Sequence, residues 1–216
     1  IFPSDSFAAL GCVLAPRNLE HIAGVIEFAT EIGWWVSLVP AHTTKASEPR
    51  SFSTFDPRLK FAPDQYDDVH RVLQDVKKLR NDGYNVYDSD EYIDDIYRFI
   101  TGTPVEWRRR NGGICDSPNL YFAIQPNGDM AVCCDYRLPR SYSVFDDNFP
   151  EIYRNRILRS EVQDVVTKCS GCMYGSFPEI TISSRFLGPM LHRGKLFLGG
   201  GLDANHLKPL NFDQMS

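Results

Sequence analysis

Six cysteines occur in the 216 residues, and five of them, Cys115, Cys133, Cys134, Cys169 and Cys172, fall in one late stretch of the chain. Cys169 and Cys172 form the C-x-x-C of "KCSGCMYG". That spacing lets two thiolates reach one metal centre from a tight turn, and Gly171 between them gives the backbone freedom to point amides at the sulfurs. With Cys115 and Cys133 the set reaches four thiolates, the complement of a tetrahedral zinc site and equally of a 4Fe-4S cluster with one cysteine per iron. Spacing does not separate the two metals. A thioredoxin-type C-x-x-C should open a helix after a strand, whereas this one closes a helical run. A nucleophilic cysteine would need a histidine partner, and none of the five histidines has a recognisable local context. Cys12 lies inside the apolar run "FAALGCVL" and reads as a small buried hydrophobe.

The elements around these thiols must bring them together. "NLYFAIQPNGDMAVCC" contains two β-type runs, 120–124 and 130–133, joined by Pro126, Asn127 and Gly128, and Asn-Gly is the strongest short hairpin signal. Such a hairpin carries the segment after Cys115 alongside Cys133. Strand alternation turns Cys134 to the opposite face, so Cys133 is the expected ligand and Cys134 its alternative. Helical periodicity over 149–166 then delivers the chain to Cys169 and Cys172.

Upstream, the apolar runs 7–14 and 34–40 read as strands buried on both faces. Between them Asn18 can cap a helix whose apolar positions are Leu19, Ile22, Val25, Ile26 and Ala29, stopped by Gly33. Strand, helix, strand in this order implies a parallel, right-handed βαβ unit. Ligands of such sheets lie beyond the carboxyl ends of the strands, here near 15–17 and 40–44, which brings in His42. Residues 45–63 read as a loop. Asp64 caps a helix that Gly83 ends, and a further helix runs from Ser89 to Gly102, its acidic residues forming a solvated face. The composition changes after Pro104, which divides the chain into 1–102 and 103–216. In the tail, Ile180, Ile182, Phe186, Leu187 and Met190 share one helical face, so 178–192 should pack back on the upstream strand–helix unit or on the hairpin. "LGGGLDANH" lacks the lysine and spacing of a phosphate loop.

Composition sets the outer limits. With 43% hydrophobic and 24% charged residues the chain is globular in character, and its net charge of -5 lacks the basic excess of a nucleic-acid binder. No apolar run approaches the ~20 residues of a membrane span. No export signal accompanies the cysteines, which points to a reducing, cytoplasmic setting where thiols stay available as ligands.

The C-x17-C spacing, "QPNGDMAVC" leading into the second thiol, the "EIYRNRILRS" helix and the closing "CSGC" together resemble the twitch or SPASM-type auxiliary cluster domain of radical S-adenosylmethionine enzymes. The resemblance covers 115–172. It implies that Cys115, Cys133, Cys169 and Cys172 hold one auxiliary 4Fe-4S cluster, which relays an electron or positions substrate. The stretch "VLAPRNLEHIAGVIEFATEIGWWVSLVPAHTT" is similar to the late part of that family's barrel. By that likeness Leu38, Val39, Pro40 and His42 line an S-adenosylmethionine pocket in the complete enzyme. The implied fold is α/β: the later part of a partial parallel β/α barrel (1–102) followed by a small α+β twitch domain with a β-hairpin, a helix and a tail (103–216). The implied partners are a small-molecule or peptide substrate and an electron donor or acceptor protein. The family's C-x3-C-x2-C is absent from the sequence, and the chain opens without Met, so the resemblance makes it the C-terminal portion of a longer enzyme. A different class also satisfies the residues: a non-catalytic, zinc-binding interaction module with a four-cysteine structural site.

Overall fold

The computed structural model describes residues 8–43, 54–55, 59–109, 115, 122–133, 137–168 and 172–198. Strands β1 (Ala9–Leu14) and β2 (Trp35–Pro40) pair in parallel, in register from Ala9 opposite Trp35 to Leu14 opposite Pro40. Helix α1 (Ile22–Glu31) makes the crossover and buries Ile22, Ile26 and Ala29, a stripe at helical spacing. Gly33, at φ 74°, adopts the left-handed turn that ends it. Two expectations need correction. Asn18 precedes a 3-10 turn (Leu19–His21) and caps nothing. Its side chain instead accepts from the Ala15 amide at 2.9 Å and donates to the Val13 carbonyl at 2.7 Å, shaping the exit from β1. Nor is β1 buried on both faces, for Val13 is 50% exposed and the strand alternates between outer and inner positions.

Strand β3 (His42–Thr43) pairs antiparallel with β4 (Thr54–Phe55), so the stretch expected to be a loop contributes a strand. Helix α2 (Tyr66–Asn81) packs Val69, Val72, Leu73 and Val76 inward, and Gly83 follows it at φ 96°. Asp64 lies in the 3-10 turn Pro63–Gln65 ahead of the helix, where the Gln65 side chain, not Asp64, accepts from the Ala62 amide. The chain then returns to the sheet. Val86 forms a parallel bridge to Val36, with the Val36 amide donating to Asn85 and the Tyr87 amide to the Val36 carbonyl, both at 2.8 Å. A third parallel segment thus lies on the far side of β2.

Helix α3 (Asp90–Thr101) is capped by the Ser89 hydroxyl and ended by Gly102 at φ 74°. Its acidic residues are not simply a solvated face. Asp90 and Asp94 pair with Arg80 and Lys77 of α2, and Asp95 is buried, accepting the amides of Glu106 and Trp107 at 2.7 and 2.8 Å. Asp95 therefore caps the short helix α4 (Glu106–Arg109) from outside it.

Hairpin β5 (Ala123–Ile124) and β6 (Met130–Ala131) pairs antiparallel across the turn that contains Gly128, at φ 84°. The other edge of β6 bridges to Arg137, and Asp129 bridges to Ser143. Helical periodicity over 149–166 resolves into α5 (Phe149–Arg154) and α6 (Arg156–Lys168). The break is Asn155, whose backbone is extended and whose side chain accepts from the Ile157 amide at 2.8 Å, a local bond that competes with helix continuation. Phe122, Phe149 and Tyr153 stack at ring separations of 5.2 to 6.2 Å and fasten the hairpin to α5.

Two helices close the described chain, α7 (Ser176–Arg185) and α8 (Leu187–Leu198). The single face expected over 178–192 is divided between them. Phe186 is extended, Ile182 is buried, and Leu187 and Met190 are exposed. Pro189 accounts for the break. Within a continuous helix its ring would clash with the Arg185 carbonyl, whereas in the first turn of α8 its missing N–H costs nothing. Ile182 and Met173 join Leu14, Leu38, Val86, Ile96 and Trp107 in the larger of two apolar cores. The tail thus packs on the parallel unit. None of the described helices is long and apolar enough to cross a membrane.

Candidate metal centre

The second core is small. Met130, Val132, Leu138, Leu158, Val162 and Val166 form it, from the hairpin, the segment after it and α6. Cys115, Cys133 and Cys172, each partly buried, all pack against it. Cys133 ends the run after β6, Cys172 follows α6, and Cys115 precedes the hairpin in the chain. Cys115 also touches the larger core and lies 3.6 Å from the Thr181 hydroxyl of α7. Cys169 and Cys134 lie outside the described residues. Among the described residues, no three His, Cys, Asp or Glu side chains are gathered to grip one ion. As a donor set, three thiols on one apolar nucleus suit a thiophilic metal centre, because low dielectric and excluded water stabilise metal–thiolate bonding. Cys12 stands apart on β1, half-buried, and burial followed by the nearby Asp88 pushes its thiol up.

The residues that the resemblance assigns to an S-adenosylmethionine pocket sit at and just after the end of β2. Leu38 and Pro40 are buried, Val39 is half-buried, and His42 pairs with Phe55 through its backbone. This strand end is covered. A Cβ on Gly175 would stand 2.7 Å from the Ser37 hydroxyl and 3.4 Å from Val39, so the segment from Cys172 to Gly175 crosses β2 where only glycine allows the approach. Tyr92 pins the same segment, its buried hydroxyl lying 2.9 Å from the Leu38 carbonyl and 2.8 Å from that of Met173.

Beneath this crossing lies a polar junction that sequence reasoning missed. Asp88 accepts from the Ser37 hydroxyl at 2.8 Å and the Leu38 amide at 2.6 Å. Glu179 of α7 accepts from the Ser89 amide and, at 3.1 Å, from Arg193 of α8, whose guanidinium lies 3.6 Å from the centroid of the Tyr87 ring. Burial, then the neighbouring Glu179, pushes the Asp88 carboxyl up to about 8. Burial likewise raises Glu179, with Arg193 opposing. Tyr92 is held well above an ordinary phenol by burial and by the negative charges around it. One signal was available: Asp88 closes a parallel segment, where polar residues of such sheets gather. The segment itself was too short to recognise.

No protein-family profile, curated protein or solved structure matches the chain.

Proposed function

We propose that this chain is the auxiliary-cluster segment of a radical S-adenosylmethionine enzyme, with Cys115, Cys133, Cys169 and Cys172 holding one 4Fe-4S cluster. The observation that carries the reading is the packing of Cys115, Cys133 and Cys172, from three separate stretches of chain, on the same small apolar core. Unrelated buried thiols have no reason to share a nucleus with one another. The parallel β1-α1-β2 unit is consistent with the implied partial barrel. When bound, such a cluster supplies one-electron chemistry at a potential set by its surroundings. The chain's own residues then have three tasks. Met130, Val132, Leu158 and Val162 exclude water, Thr181 offers a hydroxyl beside the Cys115 sulfur, and Tyr92 fixes the backbone just after Cys172. The motif that cleaves S-adenosylmethionine does not occur in these 216 residues, so the proposal concerns the holding of an auxiliary cluster and not the cleavage.

Metal analysis after anaerobic purification tests the proposal. A brown protein with about four irons per chain is the expected result, and a colourless one carrying zinc overturns it. Cys169→Ala and Cys172→Ala should lose the iron, while Cys12→Ala should keep it. Comparing Cys133→Ala with Cys134→Ala identifies which thiol of the doublet is the ligand.

A further inference from the structure

Asp88 and Glu179 are both completely buried where α7 and α8 rest on the strand ends. Among the described residues one guanidinium, that of Arg193, acts on both, and it bonds to Glu179 while its Nη1 finds no hydrogen-bond partner there. Among the described residues, the other titratable groups whose charge couples to the pair are Cys12 of β1, Tyr87 before Asp88, and Tyr92 of α3, which also senses Cys172. Each of these is neutral when protonated and negative when not, so none supplies a second positive charge. Two ionised carboxylates against one arginine would leave an uncompensated charge in the interior, a state that folded proteins avoid by retaining a proton.

The junction also spans the elements it joins. Asp88 is bound to β2 through Ser37 and Leu38, whereas Glu179 and Arg193 belong to α7 and α8. The Ser89 amide, next to Asp88, donates to Glu179 and links the two halves. We propose that the junction is a proton-held clamp: one proton retained on the Asp88 and Glu179 pair seats the α7–α8 helices on the strand ends, and its loss releases them. The Asp88 carboxyl, raised to about 8, places release on the alkaline side of neutrality. Lifting the helices would draw away the chain around Gly175 and uncover Ser37, Leu38 and Val39 at the end of β2. This inference stands whether or not the cysteines bind iron.

Amide hydrogen exchange of the full chain across α7 and α8, corrected for the intrinsic chemical rate, tests the clamp. Protection there should fall by about tenfold or more between about pH 6 and about pH 9, while α2 keeps its protection. Asp88→Asn retains an acceptor for the Leu38 amide and needs no proton, so its α7–α8 protection should stay level over the same range. Identical profiles for the two proteins overturn the proposal, and so does wild-type protection that rises with pH. Infrared spectroscopy reads the proton itself and keeps the test decisive if Asp88→Asn fails to fold. A protonated-carboxyl stretch should persist at neutral pH and vanish toward about pH 9; its absence at neutral pH refutes the clamp.

Discussion

The hydroxyl of Tyr92 lies 2.8 Å from the main-chain carbonyl of Met173, across 81 positions of sequence, and so binds α3 to the residue that follows Cys172. The same hydroxyl meets the Leu38 carbonyl at 2.9 Å. Tyr92→Phe keeps the ring and removes the single hydroxyl donor that the two carbonyls share. It should lower stability by about 1–3 kcal/mol in denaturant melts. Hydrogen exchange should place the loosening at 172–176.

Asp95 gives a second prediction. It accepts two amides of α4 and is bridged by Arg98, whose other nitrogen reaches Glu106 at 3.1 Å. Asp95→Ala removes the cap and strands buried donors, so a loss of about 2–4 kcal/mol is expected. Asp95→Asn, which still accepts, should recover part of it. Thermal unfolding of the two variants beside wild type checks the order.

Gly128 separates two physical causes. Its φ of 84° disfavours any side chain, and a Cβ there would also collide with the Phe145 ring, which is 78% exposed. Gly128→Ala should destabilise the hairpin by about 1–3 kcal/mol. In a Phe145→Ala background the collision disappears and the backbone strain stays. The double-mutant cycle should therefore show a coupling that accounts for part of the loss and not all of it.

Stability should depend on pH through Asp88. The group is protonated in folded and unfolded chains alike below about pH 4, its ordinary range. Between there and about 8 the folded state keeps the proton and the unfolded state does not. The contribution is thus complete in acid and is lost as pH rises through that window, at up to about 1.4 kcal/mol per pH unit for one proton. Urea melts at several pH values should show this slope in wild type and a flatter one in Asp88→Asn.

Some of this architecture was legible from the sequence because local chemistry decides it. Ser89 and Gly102 bound α3 as a cap and a left-handed stop should, and apolar runs on either side of a helix gave the parallel pair β1 and β2. Other features depend on partners far along the chain. Asn85, Val86 and Tyr87 are too few for a strand pattern, yet Val36 supplies the pairing they need. Asp95 sits among acidic neighbours and turns inward because α4 presents unsatisfied amides to it. The apolar spacing of 178–192 announced that this stretch packs back, but not that Glu179 would be set beside Asp88, because that depends on where α7 lands. Among the cysteines, crowding singled out the group, and the described members do share a core; their spacing gave no view of Thr181 or Tyr92 beside them.

The return of Met173 and Ile182 to the larger core has a consequence for how the protein is made. During synthesis β1, α1, β2, α2 and α3 leave the ribosome ahead of Met173 and Ile182, with one side of their apolar nucleus still waiting for those residues far downstream. Non-local closure of this kind slows folding and leaves apolar surface open to other chains in the meantime. A nascent chain stalled before Met173 should accordingly bind chaperones and yield readily to protease, and the same region should become resistant once α7 has emerged and docked.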